Sequence, residues 1–179
     1  MKKRILIIFI LIIIIISVIC ARNIFYINEK QAIEKSGISN IDILQLVNIE
    51  NNTIAFYKKN IGEINDNTFL GSAYLNKNIF GFKFVDNAEI SGMKNNYLSI
   101  QYVPIIGNQK YIQGVINDST VDRIKVFDIQ NGKVKLAEIV ENEKLKFWYC
   151  YLPESNIINL EITCYSPDGI KIHSELYKE

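Results

Sequence analysis

The sequence predicts a mainly β protein: an N-terminal transmembrane helix, a small α+β unit of one helix plus antiparallel strands, and then an immunoglobulin-like β-sandwich. Three observations carry that prediction. The run from Ile5 to Ala21 contains no charge, no Pro and no Gly. From Ile41 onward, short strand-like runs are separated by turn residues such as Asn51-Asn52, Asn131-Gly132 and Ser166-Pro167-Asp168-Gly169. Between Ile157 and Tyr165, positions 158, 160, 162 and 164 are apolar while 159, 161 and 163 are polar, the alternation of a sheet with one buried face.

As a helix, the N-terminal run rises about 25 Å, close to the roughly 30 Å thickness of a hydrocarbon layer. Ile24, Phe25, Tyr26 and Ile27 continue its apolar character past Arg22, and the aromatic pair suits the headgroup level. Lys2, Lys3 and Arg4 precede the run, and an excess of flanking cations keeps that end cytoplasmic. The expected organisation is a cytoplasmic tip over 1–4, a membrane anchor over 5–22, an α+β domain over 23–106 and a sandwich domain over 107–179, with the bulk of the chain extracellular. Two alternatives compete with an intact anchor. Lipidation at Cys20 places bulky Ile19 where a small residue is wanted, and cleavage after Ala21 has a small residue at the cut. The Ile run is longer than the usual apolar core of a signal peptide and holds no helix breaker, which favours the uncleaved anchor.

Beyond the anchor, Asn28 is a good N-cap, Glu29 suits the positive end of a helix, and Gly37 is a C-cap candidate, so a short helix lies between them. Ile41 to Glu50 has apolar residues at 41, 43 and 49 around a mixed centre, and Thr53 to Lys58 is its hairpin partner across Asn51-Asn52. Phe69 to Asn76 and Ile79 to Val85 make a second hairpin across Asn76-Lys77-Asn78. Tyr97 to Ile105 closes this half, and Gly107-Asn108-Gln109-Lys110 is the expected boundary. A meander then follows through Tyr111 to Ile116, Val121 to Ile129, Lys133 to Val140, Leu145 to Leu152, Ile157 to Tyr165 and Ile170 to Leu176. Asn131-Gly132 reads as a type I′ turn, which needs positive φ at both central residues. In Ser166 to Gly169, Pro presets the first turn position and Gly takes the left-handed one. Strands of this length and spacing suggest the sandwich. The antibody order of Cys, Trp, Cys is absent, because Trp148 precedes both Cys150 and Cys164.

Several of these stretches also carry a resemblance. Asn51-Asn52-Thr53-Ile54-Ala55-Phe56-Tyr57, Phe80-Gly81-Phe82-Lys83-Phe84, Gly114-Val115-Ile116-Asn117 with Ile124-Lys125-Val126, and Phe147-Trp148 with Asp168-Gly169 are similar to uncharacterised membrane-anchored proteins of low-G+C Gram-positive bacteria. The resemblance implies no activity and no catalytic residue.

Charge excludes more than it suggests. With 20 Lys+Arg against 19 Asp+Glu and a net charge of +1, there is no reason to expect nucleic acid, which requires a concentrated basic face. With one His and no close pair of Cys, there is no His/Cys zinc constellation of the usual three or four ligands. No phosphate loop or nucleophile elbow occurs, so no cofactor is expected. His173 stands between Ile172 and Ser174 in a strand, where neighbours point to opposite faces, so a Ser-His-acid reading fails. Asn60 to Asn67 reads as a solvated loop rather than a calcium loop, and Asp118, Asp122 and Asp128 as turn residues.

Aromatics remain as candidates. Phe80, Phe82 and Phe84 are expected on one strand face, and Phe147, Trp148, Tyr149 and Tyr151 on both faces of another. Core packing accounts for most of them; Phe80, Phe82, Phe84, Trp148 and Tyr149 are the candidate partner-binding set, since Tyr and Trp concentrate at interfaces. An extracellular setting permits a disulfide between Cys150 and Cys164. A hairpin pairing Leu152 with Ile157 would instead set Cys150 opposite Asn159, leaving two buried thiols. The expected function is a non-enzymatic binding or interaction module at the cell envelope, held by the membrane and engaging another envelope protein. The alternative is a cell-wall-directed enzyme or enzyme inhibitor using Glu50, Asp86 and Glu89.

Overall fold

The computed structural model describes residues 2–49, 51–59, 69–91, 98–103, 111–142, 145–152 and 159–178. Glu50, the loop from Asn60 to Asn67, Gly107 to Lys110 and Pro153 to Asn156 lie outside them. The described elements are α1 (Lys2–Ile24), α2 (Glu29–Lys35), β1 (Ile41–Ile49), β2 (Asn52–Lys59), β3 (Phe69–Asn78), β4 (Gly81–Ser91), β5 (Leu98–Val103), β6 (Tyr111–Ile116), β7 (Arg123–Asp128), β8 (Lys133–Leu136), β9 (Glu138–Asn142), β10 (Leu145–Tyr151), β11 (Asn159–Tyr165) and β12 (Lys171–Lys178). The molecule is mainly β, with antiparallel sheets throughout. Among the described residues no helix is long and apolar enough to cross a membrane.

Three four-stranded sheets are formed, in the orders β1-β2-β3-β4, β5-β6-β10-β9 and β12-β11-β7-β8. Their shared cores stack them in layers. α2 buries Ala32 and Ile33 on the first sheet against Ala55, Ala73 and Tyr57; small residues at the paired positions 55 and 73 bring the helix close. The opposite face of the first sheet, through Ile54, Phe56 and Leu70, meets Tyr111, Val115 and Phe147 of the second. The second sheet's other face, through Ile112, Trp148 and Cys150, meets Ile124, Val126, Leu160 and Ile162 of the third. The second sheet is therefore central, with β6 and β10 contributing to the cores on both of its faces, and every residue of β6 is buried.

Asn28 caps α2 as its chemistry requires: its side chain accepts the Gln31 N–H at 2.9 Å. The mixed centre of β1 has a physical cause. A bulge between Ile43 and Gln45 adds one residue to the strand, which reverses the side-chain parity. Ile41 and Ile43 consequently face α2, whereas Val47 and Ile49 face the central sheet. A second bulge, opposite Tyr74 and Leu75, does the same in β4. Phe82 and Phe84 turn toward α2, and Ala88, of the same parity, toward the central sheet.

Five expectations are corrected. The second hairpin turns at Ile79-Phe80, not at Asn76-Lys77-Asn78, because Asn78 pairs with Gly81 and its side chain accepts the Phe80 N–H at 2.8 Å. The run from Lys133 to Val140 is two strands, β8 in the third sheet and β9 in the central one, with the Ala137 N–H between them donating to Ile124 O at 3.0 Å. β10 and β11 are not a hairpin: β10 pairs with β6 and β9, and β11 with β7 and β12. The Asn131-Gly132 turn is not type I′. β7 and β8 are joined through four residues, with Asp128 paired to Lys133, and only Gly132 has positive φ. The Asp128 carboxylate selects this loop by accepting the N–H groups of Gln130 and Asn131, both at 3.1 Å. Strand β5, assigned to the first unit by sequence, pairs with β6 along its whole length and belongs to the central sheet.

Candidate functional site

The five candidate aromatics do not form one surface. Phe82 is buried and Phe84 half-buried in the α2 core. Trp148 is fully buried between the central and third sheets. Tyr149 is half-buried and stacks on Phe56 across the other interface, with ring centroids 4.7 Å apart. These four are packing residues, a correction to the partner-binding assignment. Phe80 alone is exposed, at the tip of the β3–β4 hairpin, where its ring lies 6.4 Å from that of Phe25. Exposure could not be read from sequence here because it depends on the turn position and on the parity-reversing bulge.

The hairpin tip is fastened to the chain that leaves α1. Tyr26 and Phe82 form an antiparallel bridge, with Tyr26 N–H donating to Phe82 O at 2.7 Å and Phe82 N–H to Tyr26 O at 2.8 Å. Gly81 makes this approach geometrically accessible. Its φ is +124°, a conformation that glycine alone adopts readily, and a Cβ there would fall 2.1 Å from the Tyr26 carbonyl oxygen. Beside the bridge, Ile27 is 81% exposed and Ile79 93%.

A polar cluster that sequence reasoning did not assemble lies on the α2 face of the first sheet. The Tyr57 hydroxyl donates to Glu89 at 3.1 Å, and Lys59 Nζ reaches both Glu89 oxygens at 3.2 Å. Burial, followed by the Glu89 charge, raises the Tyr57 pKa well above the ordinary phenol value. Its ring lies over Gly71, where a Cβ would stand 2.1 Å from Cζ. Glu89 thus works as the acceptor of an ion pair and a phenol. Asp86, three residues earlier on the same strand and paired with Tyr74 where Glu89 pairs with Gly71, has the opposite parity, toward Tyr111 of the central sheet, whose pKa burial chiefly and then the Asp86 charge raise. The two carboxylates therefore occupy opposite faces of the first sheet and do not converge. Glu50 lies outside the described residues.

Cys150 and Cys164 are free and buried, both within the core between the central and third sheets. Burial pushes the Cys150 thiol up to about 11 and the Cys164 thiol up to about 12. They sit on strands of different sheets, so the expected pairing of Cys150 with Asn159 does not occur. Cys20 lies in α1, its side chain outside the described residues. His173 has Nε2 3.6 Å from Glu175 Oε2, while Ser174 donates to Glu161 at 2.8 Å. Asp118 is a turn residue that accepts from the Thr120 hydroxyl at 2.6 Å and N–H at 2.8 Å; these bonds hold its carboxyl below the usual range. Among the described residues no three His, Cys, Asp or Glu side chains are grouped to hold a metal ion.

Comparison of the chain with protein-family models, with curated proteins and with solved structures finds no match.

Proposed function

We propose that this is a single-span membrane protein, N-terminus cytoplasmic, whose layered β body is a non-enzymatic binding or interaction module on the outer face of the cell envelope. One observation carries the reading. The apolar side chains of Ile7–Ile19 are 41% to 61% exposed, on all sides of α1. A helix that is hydrophobic all round needs an apolar surrounding, either a protein core or a bilayer, and no described part of the body supplies one. The described side chains cover only part of α1, but its backbone runs from Lys2 to Ile24, about 35 Å at 1.5 Å per residue. The apolar sequence within it extends from Ile5 to Ala21.

The body's fold is part of the proposal. We read β5 to β12 as an immunoglobulin-like sandwich, because the orders β5-β6-β10-β9 and β12-β11-β7-β8 correspond to A-B-E-D and G-F-C-C′ of that architecture. Such folds present binding surfaces of many kinds, so the module's partner, another envelope protein, is argued from location and not from fold. The separation of Asp86 from Glu89 supports the non-enzymatic reading, since a general acid and base must reach one reacting group.

The test joins topology to binding. A reporter active only outside the cytoplasm, fused after Glu179, should give signal, and the intact mass of the mature chain should exclude cleavage after Ala21 and acylation of Cys20. Crosslinking of the full chain in its native membrane should then recover a specific envelope protein. Turnover of a cell-wall substrate by the purified chain would overturn the non-enzymatic reading.

A further inference from the structure

We infer that the β3–β4 hairpin tip, Ile79 and Phe80, together with Phe25 and Ile27, is a second membrane contact that seats the body on the lipid surface. The inference rests on the proposed anchor and adds where the body touches the bilayer. Phe25 follows the last residue of α1 directly, and its ring packs on Phe80. The paired hydrogen bonds between Tyr26 and Phe82 then fix the tip one residue further along. Wherever α1 emerges from the hydrocarbon layer, the tip must emerge beside it.

The chemistry of the tip suits that position. Ile79, Phe80 and Ile27 are exposed apolar side chains clustered at one end of the first sheet, and apolar groups beside a span partition into the headgroup and acyl boundary. The segment Asn76 to Phe84 carries Lys77 and Lys83 and no acid, with Lys77 Nζ 5.4 Å from the centre of the Phe82 ring. Two cations flanking an apolar tip match a headgroup layer containing anionic lipid. A buried structural role for Ile79 is ruled out by its exposure, and a turn alone has no requirement for Ile-Phe at its two central positions.

The experiment uses the full chain reconstituted in phosphatidylethanolamine/phosphatidylglycerol vesicles, some with bromine high on the acyl chains. Ile79→Trp places a reporter at the tip, Ile170→Trp places one on an exposed turn of the third sheet, and buried Trp148 supplies a common background. Emission of the Ile79→Trp protein should be lost to the brominated lipid and protected from aqueous acrylamide, whereas the Ile170→Trp protein should behave oppositely. Adding Phe80→Asp should restore the tip emission while leaving the melting temperature in place. A tip open to acrylamide and unaffected by bromine, in a chain that withstands an alkaline wash, overturns the contact and leaves the anchor standing. A tip shielded from both quenchers is covered by protein, a second copy or another chain, and also overturns it. A chain that washes off the vesicles overturns the anchor and the contact together.

Discussion

The two faces of the central sheet are built from different materials. Toward the first sheet, β10 presents Phe147 and Tyr149, which close around Phe56 together with Tyr111 at centroid distances of 5.3, 4.7 and 6.0 Å. Toward the third sheet, the same strand presents Trp148 and Cys150, packed among Ile124, Val126, Leu160 and Ile162. The aromatic interface keeps polar atoms inside: Tyr111 beside Ser72, and Gln113, all buried. The aliphatic interface keeps fewer: the Trp148 indole N–H and, at the end of β7, the buried Asp128 carboxylate. This difference fits the connectivity. β8 and β9 follow one another across the central and third sheets, so these layers are covalently interwoven, whereas β1 to β4 pair only in sequence order. The aromatic interface joins two separately wound pieces through a few large rings.

That contrast is broken or sharpened first at Phe56. Phe56→Ala removes the ring around which the aromatic interface closes, at an expected cost of about 3–5 kcal/mol. Because β6 and β10 contribute to both cores, the loss should reach the other interface. Trp148 fluorescence, reporting the aliphatic side, and near-ultraviolet circular dichroism, dominated by the tyrosines, should shift to lower denaturant together. Movement of the tyrosine signal alone would show that the interfaces melt independently and that the central sheet does not couple them.

Alkaline pH separates the two faces by their titrating groups. Cys150 and Cys164 have pKa values raised from 9.0 to about 11 and about 12, so the unfolded chain loses those protons first. Their stability contribution is whole below pH 9 and is lost as pH rises through the window ending at about 11 and 12. The limiting slope is about 1.4 kcal/mol per pH unit for each thiol. Tyr111, raised chiefly by burial and further by Asp86, adds the same sign from the aromatic side only above its ordinary value of 10.0. Urea midpoints should therefore begin to fall near pH 9; Cys164→Val should make that fall shallower, and Cys150→Ala combined with Cys164→Val should delay its onset. An onset unchanged in the double variant would assign the effect to the tyrosines.

Much of this architecture was legible in the sequence because it rests on local chemistry. Asn28 announces its cap, Ser166 to Gly169 its turn, and the alternation from Leu160 to Cys164 its buried face. The misses have a common physical origin in events that the local pattern does not encode. A bulge at Leu44 and another at Val85 exchange the faces of β1 and β4, so Phe82 and Phe84 go inward. A change of sheet at Ala137, without Gly or Pro to mark it, divides one apparent strand into two. The Tyr57–Glu89–Lys59 cluster spans three strands, and its only sequence signal was Gly71, small where a neighbouring ring needs room. The hairpin tip was displaced by two residues, which concealed the one exposed aromatic of the candidate set.

Trp148→Phe tests the aliphatic face more gently. Trp148 Nε1 is buried with no hydrogen-bond partner among the described residues, and an unsatisfied buried donor carries a penalty of about 1–3 kcal/mol. Replacement by Phe removes that penalty while losing ring area, so the net destabilisation should stay near 1–2 kcal/mol, below that of Phe56→Ala. Chemical denaturation followed by circular dichroism measures it. A loss as large as that at Phe56 would imply that the indole N–H is satisfied in solution, by a buried water between the sheets.

The smallest expected effect lies outside both interfaces, in the loop from Asp128 to Lys133. Gly132 has φ of +63° with nothing within 4 Å of the position of a Cβ. Gly132→Ala therefore meets no steric obstacle and incurs only the left-handed strain of a non-glycine residue, about 1 kcal/mol. Asn131, whose φ is not positive, bears no such strain; its side-chain amide donates to Asp128 Oδ2 at 2.8 Å. Asn131→Ala should lose that partly exposed hydrogen bond and cost roughly 0.5–1 kcal/mol, and Asn131→Asp should place a second carboxylate beside Asp128. A type I′ turn reverses the pattern: there both positions need positive φ, and Asn131→Ala would cost as much backbone strain as Gly132→Ala. Melting the two alanine variants side by side distinguishes the loops, and neither should separate the tyrosine and tryptophan signals, which shift together on Phe56→Ala.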